Sequence, residues 1–476
     1  MDEAHRQHFN ITFAILALAG MSFALLQSLV LPALRPIQLD LHTTPTAAAW
    51  ILTAYLLSAS VATPIAGRLG DMFGKKRTLI VVLAVLAVGT LISAVSTSIG
   101  PMIAGRVIQG AGGAIFPLAF GIIRDEFPAD RRAAGIALIS AILGVGGGAG
   151  IVLAGPITQQ LSYHWLFWLP LAAVLITIVS AVFFIPESPV RTPGTVNWTA
   201  SALLSGWLVA LLIGVSEGQS WGWSSARLVG VLVIAAVVCA AWIWVELRAR
   251  EPLVDMKMMR IRGVWTTNAV ALLLGFGMYA SFILLPQFVE APARAGYGFG
   301  ASVTQAGLFL VPTTVAMLIV STQTGRLEKL FGSKPLLLVG AGLAFASFAT
   351  LAVARGQRWE IYVASALLGS GIGLAFAAMA NLIIENVGAG QTGVATGMNT
   401  VTRTVGGGFG GAATASLLAG TVGLSGYPTA HGYTAAFAVC AVALAVGVVV
   451  GLGIPQRRPE AAFGPHAVGD PVESAS

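Results

Sequence analysis

Between two apolar runs, near residues 46–66 and 78–98, the chain reads Gly67-Arg-Leu-Gly-Asp-Met-Phe-Gly-Lys-Lys-Arg77. The glycines permit a tight reversal between two helices, and Asp71 places one negative charge among four basic side chains. We expect this charge to bond the N-terminus of a neighbouring helix or a cation, so that the loop latches one conformation. The alternative is a basic loop that sets membrane topology and merely turns the chain.

The chain as a whole is more apolar than a soluble protein. Its 476 residues are 56% hydrophobic and 9% charged, whereas soluble domains carry about 25% charged residues. A membrane-spanning helix needs about 20 apolar residues, and fourteen such runs are present. They lie near residues 11–32, 46–66, 78–98, 101–123, 134–158, 163–185, 198–216, 226–246, 264–289, 303–325, 335–354, 360–385, 393–420 and 432–454. The sequence therefore predicts an all-α membrane protein, a polytopic bundle of 14 transmembrane helices.

An internal repeat divides this bundle. Residues Gly325–Lys334 read GRLEKLFGSK and share Gly, Arg, Leu, Phe, Gly and a Lys in register with the loop that starts 258 residues earlier. We predict an N-terminal six-helix half over 1–185, and two extra helices with a cytoplasmic connector over 186–262. A C-terminal six-helix half follows over 263–455, and a disordered cytoplasmic tail over 456–476.

The basic residues indicate an orientation. With the N-terminus inside, the inner loops and termini hold nineteen Lys and Arg residues and the outer loops hold five, so both termini are expected in the cytoplasm. The net charge of +7 arises from these short loops, and no nucleic-acid partner is expected. Cys239 and Cys440 lie in apolar runs about 200 residues apart, which predicts neither a disulfide framework nor a metal site.

Three motifs resemble those of a known family. Residues 67–77 resemble motif A of the major facilitator superfamily, and Arg106-Val-Ile-Gln-Gly-Ala-Gly-Gly113 looks like its motif B. The glycine run from Gly144, ending in Ala154-Gly155-Pro156, is similar to its antiporter motif C. With the two extra helices, the chain resembles the fourteen-helix drug:proton antiporter branch of that superfamily.

The resemblance implies roles for particular residues. By this resemblance, the conformational switch of motif A consists of Gly67, Asp71, Gly74, Lys75 and Arg77. Proton coupling falls on Arg106 and Gln109, together with Asp71. The antiporter motif falls on Gly146, Gly150, Gly155 and Pro156.

Arg106 is also notable without the family. It is the only basic residue deep in the first six runs, and a charge inside the membrane is expensive and marks a functional candidate. The alternative is that the side chain snorkels to the outer headgroups, because it lies only about five residues into its helix.

The sequence departs from the family pattern at two places. Motif C usually closes with two glycines, where this chain has Gln159 and Gln160, so the packing or gating of that helix end is expected to differ. Many relatives carry an acidic residue in the middle of the first helix, where Phe23 stands here. We therefore expect Phe23 to add apolar surface to the cavity or to packing, and cation binding at that site is in doubt.

Several polar and aromatic side chains are candidates for the substrate cavity. They are Gln27, Tyr55, Tyr279, Gln305 and Arg403, which offer stacking and hydrogen bonds to an amphipathic solute. The deep charges, Arg106 and Arg403, are both positive, so neutral or anionic amphipaths are expected to be preferred.

These observations predict a proton-coupled efflux transporter, multidrug in type, that exports amphipathic organic compounds by alternating access across a bacterial plasma (inner) membrane. Its expected partners are the substrate, protons and lipid, with no cofactor beyond the proton gradient and no metal, and a monomer is expected. We expect no enzymatic activity; Gly74-Lys75 lacks the first glycine and the Ser or Thr of an ATP-binding loop. The alternatives are a dedicated exporter of one metabolite, lipid precursor or self-made antibiotic, and a non-transport scaffold or receptor.

Overall fold

A computed structural model describes residues 3–188, 191, 194–292, 295–423 and 427–455, and over these residues the chain is helical. In chain order the α-helices are α1 Glu3–Ser28, α2 Val30–Asp40, α3 Pro45–Phe73, α4 Lys75–Ala94, α5 Ile99–Gln109, α6 Ile115–Glu126, α7 Ala129–Gln160, α8 Trp165–Phe184, α9 Trp198–Trp221, α10 Ala226–Arg248, α11 Met256–Met259, α12 Arg262–Glu290, α13 Val303–Phe331, α14 Ser333–Val353, α15 Arg358–Asn386, α16 Thr392–Ala419 and α17 Ala430–Leu452. The predicted all-α fold is confirmed. The predicted tail over 456–476 lies outside the described residues.

Within the described residues, thirteen helical spans are long and apolar enough to cross a membrane, and one of them joins α5 and α6 as Ile99–Glu126. The fourteenth predicted span is α16, whose 28 residues reach about 42 Å at 1.5 Å per residue. This helix is rich in Gly and Thr, and it packs among α3, α6, α9 and α12. Because protein rather than lipid surrounds much of α16, it crosses the bundle with fewer apolar side chains.

Two spans differ in detail from the sequence prediction. The first helix was expected to end near residue 32, but the chain turns at Leu29 and continues as α2 to Asp40. Pro32 lies in the first turn of α2, where a missing N–H costs nothing. The fourth helix is interrupted by a 3₁₀ turn over Gly110–Ala114, and at its start Gly110 packs against Ser58 of α3 without room for a Cβ.

In the part of the chain that the structure describes, buried apolar side chains form three clusters. One is built mainly from α1 to α8, which we call the first half, and a second from α12 to α17, which we call the second half. The third joins α9 and α10 to α3, α12, α15 and α16. The two extra helices therefore pack on the outside of the contact between the halves, α9 on α3 and α16, and α10 on α9.

The turn after α3, the start of α16 and the ends of α13 and α15 meet at one end of the bundle, which we call the basic end. The terminal parts of the first and last helices also reach it. Phe9 packs on Phe127 with ring centroids 5.6 Å apart, and Lys334 Nζ donates to the Leu452 carbonyl at 2.9 Å.

The connectors of the extra helices are anchored at the same end by carboxylates. Glu246 is buried and accepts hydrogen bonds from the N–H groups of Leu253 and Val254 at 2.9 and 3.1 Å. Glu251 accepts from the side chain and the main chain of Thr195, and these hydrogen bonds lower the pKa of the Glu251 carboxyl below its ordinary value. The two connectors are thus tied to each other.

Candidate functional site

Asp71 reaches from the first half to the second. Its carboxylate, 1% exposed, accepts hydrogen bonds from the N–H groups of Gly393 at 3.0 Å and Val394 at 3.2 Å. These are among the first residues of α16, whose unpaired N–H groups and dipole favour a negative charge. The carboxylate therefore caps a helix of the other half, one of the two partners expected from the sequence.

The cation is present as well. Lys75 Nζ lies 3.8 Å from Asp71 Oδ1 and 2.7 Å from Asp125 Oδ2 at the end of α6. The Lys75 stem passes over Gly121, where a Cβ would come within 2.6 Å of the side chain. Gly121 thus leaves the space in which a lysine, 1% exposed, joins two carboxylates.

The remaining motif A residues shape the loop and the contact between the halves. A Cβ at Gly67 would lie 2.6 Å from the Gly393 carbonyl oxygen, so only glycine allows α3 and α16 to approach this closely. Gly74 has a positive φ of 108°, which a glycine adopts without strain. Arg77 is exposed, and its Nε lies 3.5 Å from Glu187 Oε2, a surface pair that contributes little.

Arg124 was not among the predicted residues, yet it also crosses between the halves. Its guanidinium donates to the carbonyls of Val387 at 3.1 Å and Gly388 at 3.2 Å and to the Thr392 hydroxyl. In the sequence it looks like one more basic loop residue, so nothing in its spacing distinguishes it. Arg124 and Asp71 together bind the segment at which α16 begins.

Arg106 does not snorkel. It is 0% exposed, and its guanidinium donates to the carbonyls of Leu26 and Ile51, both at 3.1 Å, and to Gln109 Oε1 at 2.5 Å. The guanidinium also lies 4.0 Å from the centre of the Tyr55 ring. The predicted pair of Arg106 and Gln109 is therefore in direct contact and joins α5 to α1 and α3; its part in proton coupling stays a prediction.

The glycines of α7 face in different directions. Gly146 and Gly150, singled out from the sequence, pack against α1, where Ser28 Oγ also donates to the Gly146 carbonyl at 3.0 Å. Gly144 and Gly148 instead face Met317 and Thr314 of α13, and neither has room for a Cβ.

The contact with the second half thus lies on Gly144 and Gly148, each two positions before a chosen glycine. The sequence held this signal, since positions four apart share one helix face and positions two apart do not. Near the other end of α7, Gly155 faces Thr304 at 3.2 Å from its Cβ position, and Pro156 lies inside the helix. Gln159 and Gln160 end the helix with exposed side chains, so they are not packed against either half.

A cavity of about 260 Å³ lies between the halves. Four of the five predicted cavity residues line it, namely Gln27, Tyr55, Tyr279 and Arg403. Gln27 Nε2 donates to the Tyr279 hydroxyl at 3.0 Å across the two halves. Phe23 also lines the cavity and stacks on Tyr55 with ring centroids 5.8 Å apart, as expected for an apolar residue at that position.

The placement of Gln305 in the cavity was wrong. Gln305 is the third residue of α13 and forms a capping box with Ser302, whose main-chain N–H donates to Gln305 Oε1 at 3.1 Å. Because α13 ends at the basic end, its start places Gln305 at the opposite end of the bundle. The capping box keeps the side chain there, since it pairs N–H groups that the helix leaves unpaired.

The repeated loop in the second half has different chemistry. Ser333 stands where Lys75 stands in the first half, and its hydroxyl contacts both Glu328 and Glu385. Asn381, one helical turn before Glu385, donates to Glu328 Oε2 at 2.5 Å. Glu328 is 8% exposed and has no Lys or Arg within 4.0 Å among the described residues.

The helical bundle, the cavity between two halves and the contact that holds their basic ends together define the architecture of a secondary transporter. The chain belongs to the Major Facilitator Superfamily, whose sequence profile matches residues 16–411. The resemblance seen in the sequence motifs is thereby confirmed, and the chain is a multi-pass membrane protein.

Relatives carry names of drug export. The chain is 28% identical over 421 residues to the tetracenomycin C resistance and export protein of Streptomyces glaucescens, covering 87% of this chain and 76% of that one. It is 28% identical over 293 residues to multidrug resistance protein 3 of Bacillus subtilis, covering 61% and 56%. The chain thus spans less than two thirds of the length of some of these relatives. Such names agree with the drug:proton antiporter branch.

The fold is shared with a solved structure. The human organic anion transporter MFSD10 (TETRAN) aligns with a TM-score of 0.66 over 94% of this chain and 100% of that one, at 17% identity. At this identity the likeness concerns the fold alone.

Proposed function

We propose that this chain is a proton-coupled exporter of amphipathic organic compounds, of the multidrug type, working across a bacterial plasma membrane with the basic end in the cytoplasm. The observation that carries the proposal is the cavity between the halves combined with the Asp71 cap on α16. The cap closes the basic end only while the two halves are together. Its release exposes the cavity to the cytoplasm, and its formation commits a bound compound to the other side.

Each half moves as a unit in this proposal, and α9 and α10 lie outside the contact between the halves. The division is supported by the separate buried clusters of the first and second half. Along α7 and α13 the halves meet through glycines and small side chains, which allow close approach without interlocking.

Proton coupling is assigned to Arg106, Gln109 and Asp71. Arg106 is supported in this role by its burial beside Tyr55, a residue that lines the cavity. Asp71 is supported by its position, since protonation of its carboxylate removes the charge that caps α16 and weakens the contact between the halves.

The test begins with a growth-inhibition screen of many toxic compounds in a strain that lacks other pumps, with and without the gene. Compounds that score are then followed in everted membrane vesicles with an imposed proton gradient. We expect uptake of several chemically unrelated compounds, abolished by nigericin, which collapses the pH gradient. Protection against a single compound and its close analogues alone would indicate a dedicated exporter, and resistance without gradient-dependent flux would contradict proton coupling.

A further inference from the structure

The cavity carries a single charged lining residue. Arg403 of α16 lines it, and among the described residues the lining contains no Asp, Glu or Lys. The Arg403 guanidinium lies 4.3 Å from the centre of the Phe376 ring and forms no hydrogen bond or ion pair within the described part of the chain. A guanidinium has five N–H donors, so the cavity presents a cation whose donors the protein leaves unmatched.

The main chain holds Arg403 in this position. Gly275 of α12 packs directly on the Arg403 main chain, and the Tyr279 ring, one turn further along α12, packs on Gly407 of α16. Arg403 and Tyr279 are therefore neighbours at the contact of two closely packed helices. A rigid support of this kind keeps the guanidinium directed at the cavity without an acidic partner.

Tyr279 adds a donor beside it, and Tyr55 of the first half lines the same cavity. Tyr279 accepts the Gln27 amide at 3.0 Å, which leaves its own hydroxyl proton free to be donated. The Tyr55 hydroxyl is buried, with the residue 1% exposed, and has no hydrogen-bond partner among the described residues.

The opposite wall is aromatic. Phe23 stacks on Tyr55 and meets Phe116 edge to face with ring centroids 6.1 Å apart, and all three line the cavity. Rings in this arrangement bind a flat apolar body through area and edge contacts.

We propose that the cavity binds an organic anion, an aromatic body that bears one carboxylate, with the carboxylate on Arg403 and Tyr279 and the body against Phe23 and Phe116. The inference rests on the proposed export function and names its substrate class. A carboxylate gains charge-assisted and bidentate hydrogen bonds from the guanidinium, which offset its loss of hydration. A cation entering the same low-dielectric cavity finds no carboxylate in the described lining and is repelled by Arg403.

The test measures binding to the purified full-length protein with three probes of nearly equal shape. They are 9-anthracenecarboxylate, the uncharged 9-anthracenemethanol and the cationic 9-(aminomethyl)anthracene, and binding is followed by the shift of the unfolding temperature and by probe fluorescence. We expect the carboxylate to bind about tenfold or more tightly than the other two. Arg403→Gln is expected to weaken carboxylate binding about 10- to 100-fold and to leave the uncharged probe within twofold.

A second pair of variants guards against misfolding of Arg403→Gln. Arg403→Lys keeps the charge but loses the planar fork, so we expect intermediate binding of the carboxylate. Tyr279→Phe keeps the ring and removes one donor, and a loss of about threefold to tenfold is expected for the carboxylate alone. Equal binding of all three probes, no binding of any probe, or carboxylate binding insensitive to both Arg403 variants would overturn the assignment.

Gradient-driven flux in vesicles is measured separately. A protein that binds the carboxylate through Arg403 but moves no compound under a proton gradient refutes the export function and leaves the anion site standing. A protein that exports compounds irrespective of charge, with no effect of Arg403→Gln, refutes the anion site and leaves export standing.

Discussion

Asp71 and Arg106 are both buried charges held by main-chain groups, but they differ in where those groups lie. Arg106 binds the carbonyls of Leu26 and Ile51 within its own half, whereas Asp71 binds the N–H of Gly393 in the other half. An unsatisfied buried charge costs several kcal/mol. Arg106 therefore keeps these hydrogen bonds when the halves separate, whereas Asp71 keeps its contact with Lys75 but loses the N–H groups of α16, which makes Asp71 the group that senses the conformation.

Asp71→Asn should favour states in which the basic end is open. The asparagine oxygen still accepts one neutral hydrogen bond, but the charge on the α16 N-terminus is lost, a change of about 1–2 kcal/mol or about 5- to 30-fold in the equilibrium. We expect slower export and faster labelling by a membrane-impermeant maleimide of a cysteine at Thr63, which lines the cavity. The background is Cys239→Ser with Cys440→Ser.

The control for that experiment is Asp40→Asn, which removes an exposed carboxylate at the end of α2. It should change neither the labelling rate nor the export. Unchanged labelling in Asp71→Asn would show that the cap does not hold the basic end closed.

Arg106→Ala should abolish gradient-driven export. It removes the guanidinium hydrogen bonds to the carbonyls of Leu26 and Ile51, each worth about 1.5–3 kcal/mol because the donor is charged, and it removes the cation above Tyr55. Arg106→Lys should restore a small part of the activity, because a lysine is a point charge that cannot reproduce the planar set of contacts. Gradient-driven flux is compared with the unfolding temperature of each variant, and wild-type flux in a stable Arg106→Ala protein would remove this residue from coupling.

At the level of helices, α7 shows how one glycine-rich element serves two neighbours. Gly146 and Gly150 face α1, Gly144 and Gly148 face α13, and Gly147 faces the cavity with nothing within 4 Å of its Cβ position. A helix that must hold to its own half and also slide against the other has small residues on both faces.

Gly148→Ala should therefore reduce export about tenfold or more, since the added methyl group meets Thr314 of α13 and forces the halves apart. Gly147→Ala is the matched control, with the same change one residue earlier in open space, and should retain export within twofold. Thr314→Ala in the Gly148→Ala background should restore part of the flux. Equal effects of the two alanines would indicate a loss of helix flexibility rather than a steric clash.

Sequence alone could predict the helices and the residues of the cavity better than the contacts between elements. Apolar runs show membrane helices directly, and α16 was found although it is the least apolar. The close contact of Gly110, in the 3₁₀ turn over Gly110–Ala114, with Ser58 of another helix was not predicted, because the run of one helix does not show its neighbours. Arg124 was missed for the same reason, since a basic loop residue shows its partners only when the second half is placed beside it.

For the molecule as a whole, the two halves are repeated in sequence but not in their use of charge. In the first half Lys75 joins Asp71 and Asp125 and leaves Asp71 free to reach α16. In the second half Ser333 takes the place of the lysine, and Glu328 bonds Ser333 and Asn381 within its own half. The basic end is therefore held closed by a charged side chain of the first half that binds the second half, and not by the corresponding loop of the second half.

This asymmetry predicts that Glu328→Gln and Asp71→Asn have different effects. Glu328→Gln keeps an acceptor for Asn381 and removes a buried negative charge that forms no ion pair with a Lys or Arg among the described residues. The unfolding temperature should therefore stay the same or rise by about 2–4 °C. Export should remain within about threefold of wild type, because a change of one hydrogen bond inside a single half, about 0.5–1.5 kcal/mol, does not alter the contact between halves. Asp71→Asn in the same assay should lose far more. Glu328→Gln could instead abolish gradient-driven export while substrate still exchanges across the vesicle membrane without a gradient. In that case Glu328 carries the coupled proton. The second half then contributes the proton site, and the first half contributes the Asp71 contact that closes the basic end.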